Sequence, residues 1–439
     1  MSTSSLETSG EKKSAGRASS RRTKGWIAVA AAVVVVAGGA MAIAASQSGD
    51  SQRSGTVISD TIGNAVATKI GAGEGFSCAV TSIGRAKCWG ANSYGQVGNA
   101  TPSTNGTSGT NTTSASEVLY GSSPYGPLQP VTAIAAGQNH ACAIAGTGSF
   151  VLCWGSNSNG QLGNRSTTNS SIAVDVYDAA NYRLGQVVGI TAGNAHTCAL
   201  DRYGDVYCWG SGAALNYSTN KTAAIRLLAV GSTTAPLKAK AVSAGGTATC
   251  VIAGAQADTS GTVMCLGSGG ASLPGTLQAK AISVGGDHAC AVLPDNTVKC
   301  WGSNTYGQLG NGTKVASVGA AVVASGISNA VDVAAGKYHT CALLSDQTVK
   351  CWGNYSSGQT GQTPGENQYG QLVGSQTTPV VLAGISAVTA ISSSSSSLHT
   401  CAIGSVANVV GMKCWGGNAN YQIYWSAIPY YTTPNSVLY

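Results

Sequence analysis

Fourteen cysteines fall into seven couples, and this pairing constrains the chain more than any other feature. The couples are Cys78 and Cys88, Cys142 and Cys153, Cys198 and Cys208, Cys250 and Cys265, Cys290 and Cys300, Cys341 and Cys351, Cys401 and Cys414. A zinc site favours short Cys-x-x-Cys steps and a catalytic thiol stands near a base; neither pattern is present. Four couples are ten residues apart, which suits a hairpin. With the turn at Asp346, Cys341 faces Cys351 and Leu343 faces Val349, each pair on one side of the pleat. An even number of cysteines in an exported chain reads as disulfides.

The couples sit inside a longer repeat. Six of the second cysteines precede Trp-Gly, through Trp89, Trp154, Trp209, Trp301, Trp352 and Trp415, while the fourth unit has Leu266 instead. All five histidines, His140, His196, His288, His339 and His399, stand two residues before a first cysteine; Phe76 and Ala248 take that place in the other units. A short apolar strand and a glycine turn come earlier, as in VTAIAAG at 131–137. Gly-Gln-x-Gly follows in four units, at 95, 160, 307 and 358, and is absent from units three, four and seven. Units of roughly 50 residues, several strands each and no amphipathic helix, predict an all-β, seven-bladed β-propeller over 56–439. Adjacent Cys and Trp on one strand place the bridge and the indole on opposite sides of a blade. Each bridge stabilises its hairpin by about 2 to 3 kcal/mol.

The stretch GKYHTCALLSDQTVKCWGNYSSGQTG at 336–361 resembles the blade motif of the regulator of chromosome condensation family. The resemblance runs over about 56–439 and implies a seven-bladed ring; the added cysteines look like an exported bacterial branch of that family. The last residues, TTPNSVLY at 432–439, echo TTPVVLAG at 377–384, a strand expected to open the next unit. The tail is therefore expected against the first unit near Val57 and Ile58.

Charge argues about compartment and partner. Charged residues are 9% of the 439, against about a quarter in ordinary chains, and the net charge is +7. Six basic and two acidic residues in 1–24 give +4, and 17 basic against 14 acidic give +3 elsewhere. No basic stripe marks a nucleic-acid surface. The apolar run WIAVAAAVVVVAGGAMAIAAS at 26–46 is long enough to cross a bilayer. We therefore expect a basic cytoplasmic tail at 1–24, a transmembrane signal anchor at 25–46, a linker at 47–55, and the propeller outside the cytoplasm at the cell membrane. Cleavage after Ala42-Ile43-Ala44 is the rival reading and gives a secreted protein.

Chemistry is harder to find. One histidine per blade places the imidazoles apart around a ring, so they are expected to hydrogen-bond a turn to its neighbour rather than hold a metal. Asp287, Asp295, Asp332 and Asp346 read as turn formers and supply no catalytic pair. No Gly-x-Ser-x-Gly elbow is present. The expectation is a non-enzymatic, cofactor-free, monomeric scaffold that binds an extracellular protein or glycan. An extracellular hydrolase or lyase is the alternative. Nucleotide exchange, the role of the family's founding member on the small GTPase Ran, is less favoured, because it belongs to loops and to the cytoplasm. Tyrosines among Ser, Gly and Asn in the inter-unit insertions, Tyr120, Tyr125, Tyr177, Tyr182 and Tyr369, with Tyr424 and Trp425 near the carboxyl end, are the candidate partner contacts.

Overall fold

The computed structural model describes residues 66–101, 111–229, 232–255, 257–267, 276–406, 409–423 and 428–436. The expected tail, anchor and linker at 1–55 lie outside them, as do Val57 and Ile58. Among the described residues no helix is long and apolar enough to cross a membrane.

Seven blade sheets follow one another along the chain, each with four antiparallel strands running from an inner to an outer one. The inner strands are Ala67–Ala72, Val131–Ala136, Val187–Ala192, Ala239–Gly245, Ala281–Val284, Ala330–Ala335 and Ser386–Ser392. Each touches the next, and the last touches the first, so the blades form a closed ring. The apolar core is divided accordingly into seven clusters, one at every junction between neighbours. A blade buries both of its faces only because another stands on each side.

The middle hairpins explain the repeat. Cys341 lies opposite Cys351, Thr340 opposite Trp352 and Leu343 opposite Val349, and the other six units keep the cysteines in register. All seven bridges are closed, one in each blade. The glycine after Trp352 is compulsory: Gly353 has φ +102°, and a Cβ there would come within 2.6 Å of the Tyr338 carbonyl oxygen.

Pleat parity sends the bridge of each blade toward the next blade and the indole toward the previous one, as in blade two, where Cys142 and Cys153 pack against blade three and Trp154 against blade one. The indole then finds a partner. Trp154 donates to the Gln96 carbonyl (2.9 Å), Trp209 to Gln161 (2.8 Å), Trp352 to Gln308 (2.8 Å) and Trp415 to Gln359 (3.0 Å), always the Gln of the preceding blade's turn.

One sequence expectation is corrected. The tail does not open a further unit: Tyr430–Ser436 is the outer strand of its own blade and pairs with Val409–Gly417. The echo with 377–384 was real, but Ser375–Val381 is itself an outer strand, closing blade six rather than opening blade seven. Unit seven lacks the Gly-Gln-x-Gly motif, as read from the sequence, but keeps the turn itself. Gln422 accepts from the Asn420 amide (2.8 Å) and Asn418 from Ile423 (2.9 Å), as Gln96 and Asn92 do in blade one, while Tyr421 at φ +62° replaces the first glycine. Trp89 accordingly donates across the ring closure to the Gln422 carbonyl (3.0 Å).

Candidate functional site: a charged cleft at the rim of blades two and three

The histidines are structural fasteners. Two residues from a cysteine, each imidazole shares the bridge's side and points at the following blade. His140 Nε2 lies 2.9 Å from Thr197 Oγ1, His196 2.9 Å from Thr249, His288 2.8 Å from Thr340, His339 2.7 Å from Thr400, and His399 2.8 Å from Ser77 Oγ. Thr197, Thr340 and Ser77 pass their own protons to the carbonyls of Gln161, Gln308 and Gln422, so the imidazole nitrogen is the donor there. Burial holds His140, His339 and His399 at a pKa of about 3, and His196 and His288 at about 4. Neutral and separated by whole blades, they do not converge on a metal. Among the described residues no cluster of three or more His, Cys, Asp or Glu side chains could hold one.

Of the four aspartates read as turn formers, Asp295 and Asp346 are such, each accepting the amide and hydroxyl of the Thr two residues on. Asp332 is not. It lies on the inner strand of blade six, where burial pushes its carboxyl up to about 7. Asp287 borders a shallow polar depression of about 110 Å³ where the turns of blades two to seven meet around the axis, with Gln138, Asn194, Lys337 and Ser395.

Antiparallel order puts the turns between first and second strands, and the connections between third and fourth, on one face of the ring. The other face carries the second-to-third turns and the links between blades. On that second face a cavity of about 460 Å³ opens between blades two and three. Gly148 and Phe150 of blade two form one wall, and the hairpin turn of blade three, with Asp201, Tyr203, Asp205 and Tyr207, forms another. The inter-blade link supplies Asp178, Arg183 and Gln186, and Arg226 completes the edge.

Every ionic group in this cleft is held in place. The Arg183 guanidinium lies 4.1 Å over the Phe150 ring and donates to Asp175 Oδ1 at 2.5 Å. Asp205, nearly buried, receives Arg226 at 2.6 Å and Lys238 at 2.7 Å. Asp201 Oδ1 accepts the amides of Tyr203 and Asp205, both at 2.8 Å, which shapes the turn. Tyr203 Oη meets Gln186 Oε1 at 2.9 Å, leaving its exposed ring upright at the rim. Burial, then the nearby Asp201 carboxylate, raises the Tyr207 pKa.

Four of the candidate tyrosines gather on this rim. The insertion after blade one folds as two short strands, Leu119–Tyr120 and Gly126–Pro127, and widens blade two to six strands. It brings Tyr120 Oη to 3.2 Å from Asp175 Oδ2 and places Tyr125 at its tip. Burial first, and Asp175 second, raise the Tyr120 pKa. Tyr177 bridges to Arg183, and Tyr182, 73% exposed, stands beside it. Tyr369 is elsewhere, on the hairpin of Gly365–Glu366 and Leu372–Val373 that rises from the first face of blade six. Tyr424 and Trp425 lie outside the described residues. Phe150, Tyr203, Asp205 and Arg226 escaped the sequence reading, although DRYGD at 201–205 is the most highly charged of the seven hairpin turns.

A closed ring of seven blades, six of four strands and one of six, with one bridge per blade and a polar cleft at its rim, defines a disulfide-stapled β-propeller. The Regulator of chromosome condensation (RCC1) repeat matches residues 67–96, 131–161, 187–214, 279–308 and 330–359, and a longer form of it matches 150–200 and 295–343. The chain carries repeats of this family, five of the shorter form and two of the longer. It is 28% identical over 252 residues to the Ultraviolet-B receptor UVR8 of Arabidopsis thaliana, covering 52% of this chain and 54% of the receptor. It is 27% identical over 238 residues to the E3 ubiquitin-protein ligase HERC2 of Homo sapiens, 49% of this chain but 5% of the ligase. The chain thus spans about half the length of the plant receptor and a small part of the ligase. Among solved structures, Prp20p from Saccharomyces cerevisiae shares the fold, with a TM-score of 0.60 and 19% identity over 80% of this chain and 84% of that one.

Proposed function

We propose that this propeller is a binding scaffold on the outside of the cell, held at the membrane by 25–46, and that the cleft of blades two and three receives a protein partner. The pooling of charge carries the reading. Four aspartates and three basic residues meet within one rim site, in a chain that is only 9% charged. Rigid tyrosines beside preset ion pairs suit a protein surface of mixed sign, since the groups are already ordered before the partner arrives. Solved relatives support a protein-binding role, having been described in a complex with Kap60 and as binding Gsp1p and histones. Seven bridges with no free cysteine support an oxidising compartment.

Cross-linking on intact cells, followed by capture of the full chain, tests the proposal. Arg183→Ala with Tyr203→Ala is expected to lower capture about tenfold or more, while Tyr369→Ala on the opposite face leaves it unchanged. Equal capture by all three would remove the cleft from the account. Recovery of a glycan alone would replace the protein by a sugar. A chain protected from external protease would overturn the location.

A further inference from the structure

Blade four departs from the others at its bridge. All fourteen cysteines are among the described residues; thirteen are fully buried and Cys265 is not. Elsewhere the fourth strand pairs directly beside the second cysteine, Cys88 with Ser116, Cys153 with Val174, Cys208 with Ile225, Cys300 with Val322, Cys351 with Val380 and Cys414 with Asn435. In blade four the described part of the outer strand is Gln278–Ala279, which pairs with Gly261 and Thr262.

Three further losses coincide there. Leu266 replaces the indole, so the junction with blade three has no Trp to donate, and blade three has the short 3₁₀ turn Gly212–Leu215 where a Gln turn would accept. Ala248 replaces the histidine and faces blade five, whose Ala289 stands in the Thr position. The hairpin loop is the longest of the seven, with the cysteines 15 residues apart. A blade that lacks the Trp and His fasteners and carries the longest hairpin loop opens at lower free energy than its neighbours.

We propose that Cys250–Cys265 is a thiol–disulfide exchange site, addressed by an external dithiol while the other six bridges stay closed. A thiolate of the dithiol attacks Cys265 Sγ, forming a mixed disulfide and breaking the Cys265–Cys250 bond. Cys250, fully buried among Ile252, Val263 and Ile282, leaves and takes up a proton. The second thiol of the dithiol then attacks the mixed disulfide, releasing the Cys265 thiolate and leaving the reagent as its own disulfide. The protein gains two electrons and two protons in total. This site is independent of the rim cleft, and its failure would leave the proposed function untouched.

The test uses the folded, fully oxidised full chain without denaturant. Dithiothreitol is added at neutral pH, samples are quenched with N-ethylmaleimide over time, and each cysteine is located by peptide mapping. Cys250 and Cys265 are expected to label about tenfold faster than any other couple, with tryptophan fluorescence unchanged during that phase. With glutathione in place of dithiothreitol, the adduct is expected on Cys265. Simultaneous opening of all seven bridges, another couple reacting first, or loss of the fluorescence signal with the first bridge would each overturn the proposal.

Discussion

Blades four and six follow the same plan and finish it differently. In blade six His339 meets Thr400, Trp352 meets the Gln308 carbonyl, and Ser375–Val381 covers the bridge. Blade four has Ala248 and Leu266 where blade six has His339 and Trp352. The differences are not scattered. Where the donor is missing from one blade, the acceptor is missing from its neighbour: Ala248 is matched by Ala289, and Phe76 of blade one by Ala141 of blade two. The other five junctions pair a histidine with Thr or Ser. A buried hydroxyl without a donor, or an imidazole without an acceptor, costs more than an apolar pair, so both ends are kept or both are dropped. The junction, and not the blade, is the unit that the chain conserves within itself.

Acid should break this comparison most severely. The fold holds five imidazoles neutral, with pKa values of about 3 to 4, below the unfolded value near 6.5. Their contribution is complete above that unfolded value and is lost as pH falls toward the folded values, on the order of 2 to 3 kcal/mol per histidine by about pH 4. Hydrogen exchange at pH 7 and pH 4.5, corrected for intrinsic rates, should show protection falling at the five histidine junctions and least at the two apolar ones.

Trp352→Leu is next, at about 3 kcal/mol, because it empties core volume and removes one of the two donors to the Gln308 carbonyl, leaving Thr340 Oγ1. The reverse change, Leu266→Trp, should gain little, since blade three presents no Gln turn to receive it; urea midpoints of both variants decide. His339→Ala should cost about 2 kcal/mol by leaving Thr400 short of a donor, and adding Thr400→Ala should recover part of that loss by recreating the Ala248–Ala289 arrangement. Additive losses in this cycle would refute the paired logic. The smallest effect concerns Asp332, where blade four has Ala241. Its folded pKa, raised to about 7, means stability is held below the unfolded value near 4 and declines as pH rises through 7. Asp332→Asn should therefore be more stable than the parent by about 1 to 2 kcal/mol at pH 8 and by less at pH 5.

Much of the ring was legible because it repeats at short range. Cysteines ten apart, Trp-Gly after the second and a histidine before the first all act within one hairpin, so spacing alone exposes them. The His–Thr contacts join residues 52 to 61 apart within the chain, and 322 apart at the closure, yet their signal was present in the residue before each first cysteine. The turn of blade seven was hidden because Tyr421 adopts a backbone conformation usually left to glycine. The rim cleft was hidden for another reason: Phe150, Arg183, Tyr203 and Arg226 come from four segments that only blade packing assembles.

The contacts between blades seven and one have a consequence for how such a molecule can be rewired. His399 with Ser77, Trp89 with Gln422 and a shared apolar cluster repeat what most other neighbours do, and no described strand crosses from one sheet to the other. Among the described residues the circle has no privileged seam. Its ends could be transplanted into a different inter-blade link, by a circular permutation that tethers the present ones, and the same wheel should close.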